Sequence, residues 1–118
     1  MLTQGNQALE FLLSEANGER SRDVVIITGG NYKAGTVLAK VTASGKYTEH
    51  DPDGSGGIET AAGVLGYDVD ASSADHTGVA FVRDCEVSDE VLVFIDGIAA
   101  GDRDDAIDAL SDKGIIAR

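Results

Sequence analysis

The sequence is poor in the residue types that would indicate a disulfide-rich, membrane-spanning or nucleic-acid-binding protein. It has one cysteine, which cannot form an internal disulfide, so the fold does not depend on an oxidising compartment. No tryptophan and only three tyrosines and three phenylalanines are present, too few for a platform on which single-stranded nucleic acid stacks. No run approaches the roughly 18 apolar residues of a membrane span, and the N-terminus lacks the features of a signal peptide.

Basic residues are also scarce: nine Lys and Arg stand against 21 Asp and Glu, which gives a net charge of −12. Such a surface repels nucleic-acid phosphates and anionic lipid, so we expect no direct nucleic-acid partner and no membrane partner. Glycine is abundant, with 15 residues lying mostly between apolar runs, which indicates β structure with many tight turns. A chain of 118 residues suits a single domain.

Two short alternating runs, at residues 64–69 and 78–82, predict a pair of core strands. In the second run Val79 and Phe81 share one face, opposite to that of Ala80. The residues between the runs are mainly Asp, Ala and Ser, which favour a turn. The pair is therefore expected to form the centre of the fold.

Other apolar runs predict further strands. The continuous β-branched run at residues 23–28 predicts a buried strand, and residues 34–42 predict a second strand region. In residues 86–96, Val91 and Val93 follow the alternation of a third.

One helix is predicted near the C-terminus. Asp102 is a suitable N-cap, and Asp104 and Asp105 place negative charge in the first turn, where the helix dipole favours it. Gly114 is a suitable left-handed residue after the last turn, and residues 115–118 predict a final short strand. The sequence thus predicts a mostly β (α+β) single domain with one short C-terminal helix.

Residues 1–18 differ in character from the rest of the chain. Leu9, Leu12, Leu13 and Ala16 have the spacing of one face of a helix. A helix this short is marginal alone in water, so the segment must pack on its own domain or on a partner. The residues leave both alternatives open.

No motif indicates catalysis or a metal centre. In the loop at residues 51–62, Asp51, Asp53 and Ser55 match ligand positions of a helix-loop-helix calcium site, but Ala62 stands where the bidentate Glu is needed. The two histidines lack the spacing of a zinc site, and the cysteine has no evident base to activate it. We therefore expect no enzymatic activity, no cofactor and no metal.

Several blocks of the sequence, read in order, carry a family resemblance. They are NGERSRD at residues 17–23, AGTVLAKVTASGKY at 34–47, ETAAGVLGYDVD at 59–70, VRDCEV at 82–87 and the ending GIIAR. Together they resemble the bacteriophage head decoration protein family, similar to the capsid-stabilising D protein of lambda-like phages. The departures are modest: Gly66, Tyr67 and Cys85 stand where members more often have other residues.

The resemblance implies a β-clip-like fold, with residues 1–20 as an N-terminal capsid-binding arm and residues 21–118 as the decoration domain. The protein would be made in the host cytoplasm and would bind as a homotrimer to the exterior of the expanded head. There, at three-fold positions, it would clamp the major capsid protein and stabilise the shell against packaged DNA. The apolar residues expected to contact the capsid are Leu2, Leu9, Phe11, Leu12 and Leu13.

Two questions stay open at this level. The arm could bind as a helix or by adding a strand to an edge of a capsid sheet. A small β-rich domain with an apolar arm could also be a subunit-interaction module of a non-viral assembly.

Overall fold

The computed structural model describes residues 12–15, 22–88 and 90–118 of the chain. The strands are β1 (Leu12–Glu15), β2 (Arg22–Ile27), β3 (Asn31–Tyr32), β4 (Val37–Lys40), β5 (Tyr47–Glu49), β6 (Ala61–Leu65), β7 (Val69–Asp70), β8 (His76–Phe81), β9 (Cys85–Val87) and β10 (Ile115–Ala117), and the helix of this part is α1 (Ala100–Asp112). The predicted mostly β domain with a short C-terminal helix is confirmed. In the described ranges no helix has the length and apolarity needed to cross a membrane.

Five strands form a closed barrel in the order β2-β5-β4-β6-β8, with β8 returning to pair with β2. The predicted core pair is confirmed, because β6 and β8 are antiparallel neighbours in which Val64 faces Phe81 and Leu65 faces Ala80. The first strand of the pair is shifted toward the N-terminus, and Val69 belongs to the separate strand β7. The strands β3 and β7 form a small two-stranded sheet, and β1, β9 and β10 form a three-stranded one.

The barrel wall separates two hydrophobic cores. The first core contains Ile27, Leu38, Leu65 and Ala80 of the barrel strands, together with Val69 of β7 and the adjoining Ala71. The second joins the outer side of the barrel to β9, α1 and β10, and contains Val37, Ala61, Val64, Phe81, Cys85, Val87, Leu92, Ala106, Leu110 and Ile115. Consecutive residues of β4 therefore contribute to different cores, and this strand is covered on both faces.

The prediction of a buried strand at residues 23–28 is confirmed for the strand but wrong for the burial of its side chains. Strand β2 is present, and Ile27 is fully buried, but Val24 is 74% exposed and Ile26 is 41% exposed. Successive side chains of a strand point to opposite faces, and only the inner face of β2 is covered within the described residues. The apolar run therefore marks a strand with one face exposed to solvent.

Helix α1 begins two residues before the predicted cap. Ala99 is the N-cap and makes no side-chain hydrogen bond, whereas Asp102 lies in the first turn. The carboxylate of Asp102 therefore acts through the helix dipole instead of capping a backbone N–H. The predicted end is confirmed: Gly114 has φ +84°, its N–H donates to the Ser111 carbonyl, and β10 begins at Ile115.

The strand predicted across residues 86–96 is wrong beyond Val87. The chain turns there, with the N–H of Val91 donating to the Ser88 carbonyl at 3.2 Å. Val93 makes only an isolated bridge to Thr36. The apolar alternation of this segment does not correspond to a continuous ladder: Leu92, which lies between Val91 and Val93, packs in the second core, whereas Val93 is 40% exposed.

The helical spacing in the N-terminal segment does not give a helix at residues 12–15. These residues form β1, which pairs antiparallel with β9. A short helix gains little by itself in water, and the ladder to β9 satisfies backbone groups that a one-turn helix leaves without partners. Leu2, Leu9 and Phe11 lie outside the described residues.

Candidate interaction surfaces

The first candidate surface is the sheet edge where the N-terminal strand joins the domain. Leu12 pairs with Val87, and Glu15 pairs with Cys85, so the chain enters β1 beside Val87. On the other side of β9, β10 runs parallel and places Ala117 opposite the same Val87. The N–H of Arg118 donates to the Val87 carbonyl at 2.9 Å. Both ends of the described chain therefore emerge at one end of β9.

The strands next to β1 at this sheet edge pack in the second core. Cys85 and Val87 are buried in the second core, and Ile115 of β10 is fully buried beside them. Of the predicted capsid-contact residues, the structure brings Leu12 and Leu13 to this edge. The ladder between β1 and β9 thus ties residues 12–15 to the rigid core of the domain.

The second candidate surface is the exposed face of β2. It consists of the side chains of Val24 and Ile26, and the neighbouring strand β8 lies beside it. Val24 lies opposite Val79, and Ile26 lies opposite Thr77. Exposed apolar side chains that adjoin one another on a strand pair are a feature of interaction surfaces. The sequence signal was present as an apolar run, but it did not indicate which members would be exposed.

The same strand has an open edge. Strands β2 and β5 share one residue pair, Ile27 with Tyr47, so residues 23–26 have no strand partner on that side within the described chain. The Arg83 guanidinium pairs with the Asp23 carboxylate at 2.8 Å near one end of this edge. Burial, reinforced by the Asp23 charge, raises the pKa of the Tyr47 hydroxyl in the adjoining crevice. An open edge beside apolar side chains is a template on which another chain can pair.

The calcium-like loop uses its carboxylates for local turns. The Asp51 carboxylate accepts the N–H of Asp53 at 3.0 Å, and the Glu59 carboxylate accepts the N–H of Gly57 at 2.9 Å. Within residues 12–15, 22–88 and 90–118, no three His, Cys, Asp or Glu side chains are placed to hold a metal ion. The thiol of Cys85 is buried at the start of β9.

Comparison with known proteins identifies the family. A search of curated proteins found no match. A family model described as "Bacteriophage lambda head decoration protein D" matches residues 1–115, nearly the full length of the chain. This match supports the phage interpretation over a non-viral interaction module. The chain therefore belongs to the phage lambda head decoration protein D family, whose members are structural proteins of the phage head and not enzymes.

Proposed function

We propose that this protein binds as a homotrimer to the exterior of the expanded phage head, at three-fold positions, and stabilises the shell against the pressure of packaged DNA. Its partner is the major capsid protein. The observation that carries the proposal is the family match over residues 1–115, because it spans both the N-terminal segment and the barrel domain. The protein is made in the host cytoplasm and joins the head after expansion.

The N-terminal arm makes the capsid contact in this proposal. Leu2, Leu9 and Phe11 supply the apolar side chains that reach the shell, while Leu12 and Leu13 lie at the base of the arm in β1. Burying one such side chain contributes about 1.5–3 kcal/mol. One arm therefore binds weakly by itself, since ordering the segment costs part of that gain.

Trimerisation makes these weak contacts effective together. Once one arm of a trimer is bound, the other two engage at a high effective concentration, so the trimer binds far more tightly than a single copy. Expansion of the head would bring three capsid sites to the spacing that one trimer spans, which accounts for late addition. The open apolar face of β2, with Val24 and Ile26, is the surface that we assign to contact between copies.

Co-sedimentation with expanded, undecorated heads of the same phage tests the proposal. The full chain should bind saturably, near one copy per major capsid subunit. A truncation that lacks residues 1–11 keeps β1 and should lose most of the binding. Equal binding by the truncation would move the anchor into the domain, and absence of binding by the full chain would contradict the proposed function.

A matched pair of variants separates apolar contact from mere arm length. The test variant replaces the three apolar residues Leu2, Leu9 and Phe11 with serine, and the control replaces Thr3, Gln4 and Gln7 with serine. The apolar variant should bind heads at least about tenfold more weakly, since each buried side chain is worth about 1.5–3 kcal/mol. The polar control should bind like the parent chain.

A further inference from the structure

A cavity of about 270 Å³ lies beside the N-terminal half of α1. The helix contributes Asp102, Asp105, Ala106 and Ala109 to its wall. These residues are spaced i, i+3, i+4 and i+7, so they share one face of the helix. The opposite wall comes from the segment between β5 and β6, including His50 and Glu59.

The charge of the cavity is one-sided. It is lined by the carboxylates of Glu59, Asp102 and Asp105, and no described lysine or arginine lines it. Within the described part of the chain, none of these three carboxylates takes part in an ion pair. The remaining wall includes the methyl groups of Ala106 and Ala109, which provide a narrow apolar surface next to the acidic groups.

The histidine in the wall has a buried ring nitrogen without a hydrogen-bond partner in the described part of the chain. His50 is only 2% exposed, and its Nε2 lies 3.2 Å from the Glu59 carbonyl oxygen. A carbonyl oxygen only accepts hydrogen bonds, so Nε2 carries the proton. Nδ1 is buried and has no hydrogen-bond partner among the described residues. In the neutral ring Nδ1 is an acceptor, and a buried acceptor without a donor is unfavourable.

The hydrogen-bond acceptors of the cavity residues favour a basic side chain over a metal ion as the ligand. Metal ligands must converge within about 2.0–2.6 Å of one centre, and no three suitable side chains do so in the described part of the chain. A guanidinium group instead presents five N–H donors, each of which reaches an acceptor at about 2.7–2.9 Å. Its aliphatic stem can pack along the alanine methyl groups. The volume lies below the roughly 300–1,000 Å³ of small-molecule sites, which suits one side chain.

The basic side chains of the described residues lie outside this cavity. Lys40 and Lys113 line the neighbouring crevice, which shares Glu59 with it. Lys33, Lys46, Arg83 and Arg118 already form ion pairs within the chain. Arg22 and Arg103 lie over aromatic rings at 4.9 and 5.1 Å from the ring centres. With a net charge of −12, the chain attracts a basic patch on another protein.

We propose that this acidic cavity, bounded by His50, Glu59, Asp102 and Asp105, receives one arginine side chain of a major capsid protein subunit. The proposal rests on the proposed function. It adds to the apolar arm a second, polar contact that fixes the orientation of the domain on the shell. Since the contact is ionic, the affinity for heads should fall as salt concentration rises.

The first test uses N-acetyl-arginine methylamide as a probe, titrated into the ¹⁵N-labelled full chain and followed by NMR. The neutral isostere N-acetyl-citrulline methylamide is the control ligand. Arginine should shift the signals of His50, Ala106 and Ala109, and citrulline should shift them much less. Equal shifts with both ligands, or no shift at these residues, would overturn the proposal.

Two double variants of the same helix sharpen this test. Asp102→Asn with Asp105→Asn removes two carboxylates from the cavity, and Asp104→Asn with Asp108→Asn removes two exposed carboxylates that do not line it. The first should weaken arginine binding about tenfold, the loss of one charge-assisted hydrogen bond, and the second should not. Glu59→Gln serves if the first double variant fails to fold, because its amide oxygen can still accept the Gly57 N–H.

Co-sedimentation of the same variants with expanded heads tests the source of the side chain. The cavity variant should bind more weakly than the matched control, and the difference should shrink at high salt. If the parent chain and both variants bind equally, the proposed function stands and the cavity proposal is overturned. If the parent chain does not bind heads, the proposed function fails, and the capsid subunit is excluded as the partner.

Discussion

Strands β4 and β2 belong to the same barrel but have opposite surroundings. In β4, Val37 and Leu38 are both fully buried, although they point to opposite faces. In β2, Ile27 is buried while Val24 is 74% exposed. The two strands have similarly apolar sequences. Their difference comes from a second layer, built by β9, α1 and β10, that covers one side of the barrel and leaves the β2 side open.

The comparison separates structural from interacting apolar residues. On the covered side, apolar side chains stabilise the fold, because they pack against other elements of the same chain. On the open side, the exposed side chains of Val24 and Ile26 contribute little to the stability of the fold. They are available for contact with another chain. Four predictions test this division, and the largest effect is expected on the covered side.

The same substitution at two valines should have unequal effects on stability. Val37→Ala removes side-chain volume between β4 and the second core and should lower the free energy of unfolding by about 1.5–3 kcal/mol. Val24→Ala changes an exposed position and should alter it by less than about 0.5 kcal/mol. Urea denaturation at low protein concentration measures both. Equal losses would mean that β2 is covered after all.

The covering layer itself can be loosened at the end of its helix. Gly114→Ala forces a Cβ into a left-handed residue with φ +84°, where that atom would lie 3.1 Å from the Asp84 nitrogen. We expect a loss of about 1–2 kcal/mol in the free energy of unfolding. Gly101→Ala is the control, because an added Cβ there meets nothing within 4 Å and alanine favours helix. In thermal unfolding, the control should have a melting temperature equal to or above that of the parent chain. A lower melting temperature would contradict this account of the helix.

The open side can be changed without affecting the fold. Val24→Glu puts a charge on the surface that we assign to contact between copies, and should weaken self-association by about tenfold or more. Ser111→Glu adds the same charge at an exposed helix position, and should leave association unchanged. Sedimentation velocity across a concentration series gives both values. Unchanged association in the β2 variant would remove this face from the proposed trimer contact.

The smallest effect concerns the carboxyl group of Glu49, the last residue of β5. Burial, followed by the charges of Asp96 and Asp51, raises the pKa of Glu49. Protonated Glu49 therefore favours the folded state, and that contribution is lost as the pH rises through its folded-state pKa. Glu49→Gln should raise the melting temperature slightly at pH 7, and the gain should disappear below the ordinary Glu pKa of about 4.3. A gain of equal size at both pH values would contradict the assignment.

Local rules predicted the parts of the fold that depend on neighbouring residues. The alternation in β8 and the glycine that ends α1 both express backbone preferences over a few positions. The exposure of Val24 could not be predicted, since it depends on where elements more than 60 residues later pack. The strand at Leu12–Glu15 was missed for the same reason, because its partner β9 is remote in sequence.

The cavity illustrates the same limit. The sequence predicts Asp102 as the N-cap and Asp105 as a first-turn acid that favours the helix dipole, and it makes His50 only a weak metal candidate. Packing of α1 against β6 brings these residues to one cavity, although His50 and Asp102 are 52 positions apart. A sequence pattern does not reveal such a site, since its residues are remote in sequence until the fold brings them together.

Electron cryomicroscopy of expanded heads incubated with the purified protein tests the central claim most directly. The account predicts additional density on the outer surface at the three-fold positions, with three barrels around each axis and a strand or helix from each arm in contact with the shell. Density that is absent, that lies on the inner surface, or that sits away from the three-fold axes would contradict it.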